Sequence, residues 1–319
     1  MDSAMKTRLE RQQYRFAGEH SAVKVCHWTK QSLLNKDTCY KERFYGIRAH
    51  RCVQMSPSVG VCQNNCVHCW RETQHSLSNA LEGPSALDAP ADIVERSIAG
   101  QRKLLEGFGG NAKADRRKFA EAQEPLHFAI SLSGEPTAYP LLGELITELG
   151  ARGMTSFLVT NGMLPDRLAS LRDAGQLPTQ LYLSLNATGE KQFRELCRPL
   201  HKDGWQRLGR SMDLVKEMRA LTRTTVRITA IKGLNMADAE GWAAILGQAH
   251  PLFVEVKAYM FVGSSRERLT LGHMPSHSEV KEFAEDICQH SSYRIIDEKP
   301  DSRVVLLMEQ DIPGRRMAF

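Results

Sequence analysis

Six short apolar segments rich in β-branched residues alternate along this sequence with segments of amphipathic helical periodicity. Strands that alternate with helices form a parallel sheet, and six such units in succession curl that sheet toward a barrel. Polar side chains follow the predicted strands, at the ends where parallel barrels gather their functional groups. We therefore predict an α/β protein built on a partial (βα)6 barrel of the TIM type, with an N-terminal cysteine-bearing segment and a C-terminal extension.

The predicted strands cover residues 50–57, 126–133, 156–161, 180–186, 225–231 and 253–259. A cysteine-bearing loop follows the first strand, and a helix is predicted over residues 90–108 because Pro90 suits a helix start and charges line one face. Further helices are predicted over residues 141–152, 213–222 and 278–288. Residues 293–308 predict two strands joined by a Pro-Asp turn.

These elements predict three segments of unequal size. Residues 1–49 form the N-terminal segment, residues 50–290 the barrel, and residues 291–319 an extension packed on the barrel. Linker-like composition is confined to residues 75–90 and 109–125. Both are long enough to be functional loops, and we expect the second to be a mobile basic insertion.

Length and composition narrow the class of protein. A chain of 319 residues with 42% apolar content can bury the core of one large domain. No apolar run approaches the roughly 20 residues of a membrane span, and the first residues are too charged for a secretory signal. We expect a cytoplasmic protein, a monomer with no membrane contact. The net charge of +5 permits a polyanionic partner without proving one.

The stretch "VCQNNCVHCWR" places Cys62, Cys66 and Cys69 within eight residues. In a reducing compartment such a cluster indicates metal binding or catalysis, not disulfides. A cubane iron–sulfur cluster normally takes four thiolates, so three leave one iron open. S-adenosylmethionine can occupy that iron through its amine and carboxylate, and one electron passed to its sulfonium would cleave it to a carbon radical. The alternatives are a structural zinc site completed by His68, and coincidental surface cysteines.

The spacing C-x3-C-x2-C at the end of a first barrel strand resembles the signature of radical S-adenosylmethionine (radical SAM) enzymes. The resemblance implies that the Gly-Glu pair of "SGEP", Gly134 and Glu135, binds the cofactor's amino group. It also implies that His68 lies beside the adenine. The groups that it implies for the cofactor's carboxylate and ribose, after the third and fourth strands, are Asn161, Ser184 and Asn186.

A second cysteine triad, Cys26, Cys39 and Cys52, precedes the first with twelve residues between successive members. That spacing fits neither a helix face nor a strand face, but thiolates from separate segments can converge on one cluster. We interpret the triad as the ligands of a second [4Fe-4S] cluster with another open iron. The alternative is three buried thiols without metal.

Both triads together with "CYKERFYGI", "YLSLNAT", "RPLHKDGW", "VRITAIKGLN" and "DEKPDSRVVLL" resemble the 4-demethylwyosine synthase family of tRNA modification, over almost the whole chain. The resemblance implies a tRNA(Phe) substrate carrying N1-methylguanosine at position 37, two carbons taken from pyruvate, and two [4Fe-4S] clusters with S-adenosylmethionine. Eukaryotic members carry an added flavodoxin-like domain. This chain has no room for one, so we expect a separate flavodoxin- or ferredoxin-type electron donor.

Two modes of pyruvate binding stay open: chelation by the second cluster's open iron, or a Schiff base with a lysine. Lys41, two residues after Cys39, is our candidate for a catalytic lysine, with a solvated surface role as its alternative; Lys232 and Lys257 are reserves. Basic groups for tRNA phosphates are offered by residues 48–51, 113–119, 264–269 and 314–319. Two competing functions remain: a peptide-modifying radical SAM enzyme with an auxiliary cluster, and a non-catalytic zinc-stabilised RNA-binding protein.

Overall fold

The computed structural model describes residues 3–71, 81 and 87–319. The described residues form ten strands: β1 Arg15–Phe16, β2 Ala22–Lys24, β3 Cys52–Ser56, β4 His127–Ile130, β5 Thr155–Thr160, β6 Gln180–Ser184, β7 Arg223–Ala230, β8 Phe253–Ala258, β9 Arg294–Lys299 and β10 Val304–Met308. They also form eleven α-helices: α1 Ser3–Arg11, α2 His27–Leu33, α3 Tyr40–Tyr45, α4 Pro90–Gly109, α5 Arg116–Glu121, α6 Leu142–Ala151, α7 Pro165–Asp173, α8 Glu190–Cys197, α9 Gly204–Met218, α10 Ala239–Ala249 and α11 His277–Gln289.

All ten strands belong to one sheet in the order β1-β2-β3-β4-β5-β6-β7-β8-β10-β9. The six strands from β3 to β8 are parallel and adjacent in chain order, as in a partial barrel. The predicted fold class is therefore confirmed. Strands β1 and β2 extend one edge antiparallel, and β10 and β9 extend the other edge in the same way. The hairpin predicted for residues 293–308 is this second extension.

Two apolar layers hold the fold together. The larger one packs helices α4 and α6 to α11 against the outer face of the sheet, through buried side chains such as Ile93, Leu145 and Trp242. The second lies inside the curled sheet. There the rings of α3 pack against inner-face side chains of β5, β6, β8 and β10; the buried members are Tyr40, Phe44, Tyr45, Ile47, Phe157, Tyr182, Phe253, Val304, Leu306 and Met308.

Helix α3 thus fills part of the barrel interior, which the amphipathic pattern of the sequence did not reveal. The helix is almost completely buried: less than one-tenth of the surface of Tyr40, Phe44 and Tyr45 is exposed. A helix of six residues is too short to be stable by itself, so its position depends on these tertiary contacts. The consequence for the site is that Cys39 and Lys41 are carried into the barrel.

Several element boundaries differ from prediction. Helix α9 begins at Gly204, nine residues before the predicted start, and ends four residues before the predicted end. Residues 109–125, predicted to be a loop, contain α5, whose N-cap Asp115 accepts a hydrogen bond from the Lys118 backbone N–H. Lys118 Nζ also donates to the carbonyl of Ser32 at 3.2 Å. The loop predicted at 75–90 falls mostly on residues outside the described ones.

No helix among the described residues is both long enough and apolar enough to cross a membrane.

Candidate active site

The loop carrying Cys62, Cys66 and Cys69 follows β3 and is held by backbone hydrogen bonds to two neighbouring segments. The Val67 N–H donates to the carbonyl of Leu196 at 2.8 Å, and the Glu135 N–H donates to the carbonyl of Val61 at 2.6 Å. Arg268 adds side-chain bonds to the carbonyls of Val67 and Cys69, at 3.2 and 2.5 Å. Three separate elements therefore fix the loop before any ligand binds.

The three cysteines of this loop are partly buried, and desolvation raises the pKa of Cys62 and, to about 11, that of Cys69. A hydrogen bond with the thiol of Cys197, followed by burial, raises the pKa of Cys66. Three mutually close, desolvated thiols cannot all ionise without a compensating cation. Metal binding deprotonates thiols outright, so the donor set suits an iron–sulfur cluster.

Among the side chains that the structure describes, no three of His, Cys, Asp or Glu converge on the position of a single metal ion. The thiolates of a cubane cluster bind different irons and therefore stand farther apart than the ligands of one zinc ion. His68 does not complete a mononuclear site. Its ring is buried, which lowers its pKa to about 4 and keeps it neutral, and its Nδ1 atom lacks a hydrogen-bond partner. A buried, unpaired ring nitrogen is a feature expected where a ligand is missing.

Gly134 brings the strand β4 loop against the cysteine loop. Its backbone has φ +73°, and a Cβ at this position would lie 2.1 Å from the carbonyl oxygen of Ser58 and 2.7 Å from that of Val61. Only glycine tolerates both the left-handed conformation and the close approach. The glycine of "SGEP" is thus required by the contact between two loops that end neighbouring strands.

Glu135 is 2% exposed, and its carboxylate accepts four hydrogen bonds from the protein. Oε1 accepts from Thr137 N–H, Thr137 Oγ1 and Thr160 Oγ1 at 3.1, 2.7 and 2.6 Å, and Oε2 accepts from Asn161 N–H at 2.7 Å. Burial raises the pKa of Glu135, while these bonds oppose the rise. The carboxylate therefore ties the end of β4 to the end of β5 and keeps acceptor capacity on Oε2.

Asn161 links that carboxylate to the cysteine loop, since its Nδ2 donates to the Cys62 sulfur at 3.6 Å. Ser184 is the last residue of β6 and is partly buried. Asn186 lies just beyond β6, where its Oδ1 accepts from the Thr229 N–H at 2.9 Å. The structure brings Asn161 next to the cysteines, whereas it uses the Asn186 amide oxygen to join β6 to β7.

The second triad also converges, from three different elements. Cys26 and Cys39 are the N-cap residues of α2 and α3, and Cys52 is the first residue of β3. Burial raises the pKa of Cys39 to about 12, with a further contribution from Cys26. Cys26 and Cys39 in turn raise the pKa of Cys52, after burial itself. Electrostatic effects of this kind act over several ångströms, so the three cysteines face a common region.

Lys41 points into the barrel beside this triad and is only 8% exposed. Its Nζ lies 4.2 Å from the ring centroid of Tyr182 and 4.8 Å from that of Phe157. Burial lowers the pKa of Lys41, against the influence of Glu255 and Cys39. The alternative of a solvated surface lysine is excluded by this burial. A desolvated amine is a better nucleophile because more of it is uncharged.

A buried acidic centre lies on the inner face beneath this region, and the sequence prediction missed it. The Glu255 carboxylate accepts from the hydroxyls of Tyr45, Tyr40 and Tyr182 at 2.7, 2.9 and 3.2 Å. Arg227 and Lys257 stand on the same face of β7 and β8. The missed signal was charge within the apolar strand segments "TVRITAI" and "FVEVKAY", since buried charges in strands are rare without a partner or a task.

The two reserve lysines, Lys232 and Lys257, have different environments. Lys232 is exposed and forms an ion pair with Glu279. Lys257 faces inward, where burial lowers its pKa to about 8, and its Nζ donates to the carbonyl of Ser302. Cys197 is buried in the core and also contacts Cys66. Trp70 is 42% exposed and stacks on the guanidinium of Arg71.

Three of the four basic stretches lie together at the amino ends of the parallel strands, where Arg48 pairs with Glu121 of α5 and donates to the carbonyl oxygen of Phe319. Residues 48–51 directly precede β3, and residues 113–119 precede β4, so both lie at the amino ends of the parallel strands. Arg315 donates to the carbonyl of Phe44 on α3. Residues 264–269 follow β8 and contact the cysteine loop, where the Ser264 N–H donates to the carbonyl of Trp70. Only this last stretch stands beside the first cysteine triad.

The barrel and its cysteine loop define a radical SAM enzyme: residues 56–245 match the radical SAM superfamily, and residues 248–309 match a family described as wyosine base formation. The chain is 48% identical over 305 residues to the S-adenosyl-L-methionine-dependent tRNA 4-demethylwyosine synthase of Pyrococcus horikoshii, covering 95% of this chain and 88% of that protein. It is 38% identical over 307 residues to that of Methanocaldococcus jannaschii, covering 95% of each. The chain belongs to the tRNA 4-demethylwyosine synthase family.

Solved structures agree with this assignment. A structure of TYW1 with a lysine–pyruvate adduct bound superposes with a TM-score of 0.88 at 36% identity, covering 99% of both chains. A crystal structure of archaeal TYW1 superposes with a TM-score of 0.80 at 33% identity, covering 99% of this chain and 100% of that one. The chain also matches the Oryza sativa synthase at 37% identity, but spans 46% of that protein.

Family membership decides between the functions left open by the sequence. The chain is a radical SAM enzyme of tRNA modification, so neither a zinc-stabilised RNA-binding protein nor a peptide-modifying enzyme fits it. The superfamily implies S-adenosylmethionine and a [4Fe-4S] cluster, and the residues around Cys62, Cys66 and Cys69 suit both.

Proposed function

We propose that this enzyme converts N1-methylguanosine-37 of tRNA(Phe) and pyruvate into 4-demethylwyosine. The observation that carries the proposal is the position of Lys41: it is desolvated inside the barrel, beside a second cysteine triad, under the rings of Phe157 and Tyr182. A buried lysine next to a set of thiols has no structural need here, because the described residues offer its Nζ no carboxylate within ion-pair distance. Chemistry explains it better than packing does.

Cys62, Cys66 and Cys69 would hold the first cluster, with S-adenosylmethionine at its open iron. When bound, this pair supplies the radical that removes hydrogen from the N1-methyl group. Gly134 and Glu135 would contact the cofactor's amino group, through the carboxylate acceptor that remains on Oε2. Asn161, Ser184 and Asn186 would bind its carboxylate and ribose, and His68 would face its adenine. These roles are supported by the position of each residue at the carboxyl end of a strand.

Cys26, Cys39 and Cys52 would hold a second [4Fe-4S] cluster. Support comes from three separate segments that each carry a partly buried cysteine to a common region. Packing needs no such arrangement, since a lone buried cysteine behaves as a small apolar side chain.

Lys41 would form a Schiff base with pyruvate: its amine nitrogen bonds to the keto carbon, and the keto oxygen leaves as water. The related TYW1 structure holds a lysine–pyruvate adduct, which favours a lysine over chelation by iron alone. Lys41 suits the role better than Lys232, which is exposed and paired, and better than Lys257, whose amine is bound to the carbonyl of Ser302. Burial between two rings also excludes the water that would hydrolyse a Schiff base.

The tRNA would approach the carboxyl ends of the strands. Six exposed large apolar side chains stand on loops at that end, namely Trp70, Leu200, Leu234, Met260, Val262 and Leu271. Unstacked bases of a tRNA loop bind such side chains by stacking and apolar contact. Arg266, exposed on the same rim, would pair with a phosphate. The basic stretches at the amino ends of the strands are poorly placed for this task.

We further propose a monomeric cytoplasmic enzyme that takes electrons from a separate flavodoxin- or ferredoxin-type protein. This chain covers 88% and 95% of the length of the two archaeal relatives and 46% of the rice protein.

The test is anaerobic reconstitution followed by incubation with methylated tRNA, pyruvate, S-adenosylmethionine and reductant. Nucleosides of the tRNA are then analysed by mass spectrometry, with tRNA carrying unmodified guanosine-37 as the matched control. We expect 4-demethylwyosine from the methylated tRNA only. Cofactor cleavage without any change in the mass of position 37 would refute the proposal.

A further inference from the structure

Arg227 stands at the centre of the inner face of the barrel. On β7 it is in register with Ser184 of β6 and with Glu255 of β8. Residues in register on neighbouring strands point to the same face, so Arg227 shares the interior with Glu255 and its ring of tyrosines. It lies on the layer just above Tyr182, the ring that Lys41 contacts.

Arg227 and Lys41 are influenced by the same neighbouring charged groups. Burial opposes the charge of Arg227, but the influence of Tyr40, Glu255, Tyr182 and Cys39 raises its pKa above the usual value. Glu255, Cys39 and Arg227 itself act on Lys41 in turn. Two cations thus face one space inside the barrel.

Three basic side chains, Arg227, Lys41 and Lys257, face this space beside a single carboxylate, that of Glu255. In the described part of the chain, the Arg227 guanidinium forms no ion pair and donates no hydrogen bond. Glu255 influences its charge but forms no ion pair with it, and the Glu255 carboxylate accepts hydrogen bonds from the three tyrosine hydroxyls. Lys257, on the same face, adds a third cation but donates to the carbonyl of Ser302. Arg227 is partly buried, so its guanidinium faces the barrel interior with its hydrogen-bond donors open to an anionic ligand.

Arg223 shows what a structurally satisfied arginine looks like on the same strand. It lies four residues before Arg227, also on the inner face, and donates to the carbonyls of Gly314 and Arg315 at 3.2 and 2.7 Å. Its guanidinium also stacks over the rings of Phe253 and Tyr45, at 4.9 and 5.5 Å from their centroids. Arg227 lies on the same strand and carries the same charge as Arg223, but it makes none of these contacts.

We propose that Arg227 binds the carboxylate of the 2-oxo acid whose keto carbon reacts with Lys41, and so selects for a carboxylate-bearing donor. The inference rests on the proposed function and adds a specificity-determining residue to it. A guanidinium can grip both oxygens of a carboxylate, which would orient the adjacent keto carbon. Arg227 takes no proton in the step: the amine nitrogen bonds to carbon, water leaves, and the carboxylate stays ionised throughout.

The test compares pyruvate with methyl pyruvate, which has the same keto carbon but an uncharged ester. Wild-type enzyme, Arg227→Gln, Arg227→Lys and the control Arg223→Gln are reconstituted, and iron content and cofactor cleavage establish that each is folded. Two quantities are measured for each: equilibrium binding of labelled pyruvate, and the keto-acid concentration that half-saturates borohydride trapping on the protein, by mass spectrometry. Trapping is repeated with methyl pyruvate.

Loss of one charge-assisted interaction predicts pyruvate binding about 10- to 150-fold weaker in Arg227→Gln. Trapping of methyl pyruvate should be unchanged, Arg227→Lys should recover part of the loss, and Arg223→Gln should behave as wild type. An Arg227→Gln variant that loses pyruvate and methyl pyruvate equally, or loses neither, overturns the role of Arg227.

The two proposals fail in different ways. Trapping that is normal in both wild type and Arg227→Gln leaves the Schiff base standing and removes Arg227 from pyruvate binding. A wild-type enzyme that gives no borohydride adduct, yet binds pyruvate in an Arg227-dependent manner, removes the Schiff base and supports the carboxylate site.

Discussion

The Nζ atom of Lys41 lies 4.2 Å from the centroid of the Tyr182 ring, although the two residues are 141 positions apart along the chain. Helix α3 carries Lys41 into the barrel, and β6 presents Tyr182 on its inner face. The hydroxyl of the same tyrosine donates to Glu255. A candidate nucleophile and a buried acidic centre are thereby coupled through one ring.

Replacing Lys41 by methionine should abolish product and the borohydride-reducible pyruvate adduct, because the amine is lost while an apolar stem still fills the space between the rings. Iron content and cofactor cleavage should persist. Lys232→Met is the matched control, since Lys232 is exposed and paired with Glu279. An adduct that survives in Lys41→Met would point to Lys257 instead, and product formation that is merely slowed would mean that chelation by iron suffices.

Replacing Cys62, Cys66 and Cys69 together by alanine should remove about half of roughly eight irons per chain and all cofactor cleavage, if the triads hold separate cubanes. Iron analysis and chromatography of the cleavage product measure the two effects. Cys288→Ala, in α11 and outside both triads, is the control. If the triple variant loses all of its iron, the two sites do not form independently.

Replacing Cys26, Cys39 and Cys52 by alanine should abolish base formation and retain slow, uncoupled cofactor cleavage at the first cluster. Pyruvate added to the reduced wild-type enzyme should perturb the paramagnetic resonance of one cluster only, and this response should vanish in the variant. Full product formation by the variant, together with a wild-type signal indifferent to pyruvate, would leave these cysteines as structural thiols.

Glu135→Ala should weaken binding of S-adenosylmethionine by about 10- to 150-fold, the value of one charge-assisted hydrogen bond of about 1.5 to 3 kcal/mol. Iron content should stay intact, because Glu135 is not a ligand. Equilibrium dialysis of the cofactor measures the affinity. Thr137→Ala removes one donor to the same carboxylate but not the carboxylate itself, and should have a smaller effect. Unchanged affinity in Glu135→Ala would reduce the carboxylate to a link between two strand ends.

Gly134→Ala should destabilise the cysteine loop and lower cluster occupancy. Its Cβ would meet the Ser58 carbonyl oxygen at 2.1 Å, and its φ of +73° disfavours any side chain. The two effects together should cost about 2 to 5 kcal/mol of unfolding free energy. Gly153→Ala is the matched control, since Gly153 has φ +68° with open space around it and should cost only about 1 to 2 kcal/mol. Equal losses in urea unfolding of the two holoproteins would contradict the steric argument.

Local patterns in the sequence were sufficient for the barrel and for the first cysteine triad. Each strand and each helix has its own local hydrophobic pattern, so the six parallel strands can be predicted segment by segment. Cys62, Cys66 and Cys69 lie within eight residues, and a loop that short necessarily keeps their sulfurs near one another. Likewise the position of Gly134 and Glu135 after a strand follows from the order of elements.

The interior of the barrel depended on contacts between residues that are far apart in sequence. Helix α3 has only six residues, and what places it is the burial of Tyr40, Phe44 and Tyr45 against four strands. The direction of Lys41, the position of Cys39, and the meeting of Glu255 with Tyr40 and Tyr45 follow from that placement. In the sequence, Arg227 is identifiable only as a charged residue within an apolar strand. The register of β7 between Ser184 and Glu255 turns it toward the same space as Lys41, because side chains in register share a face of the sheet.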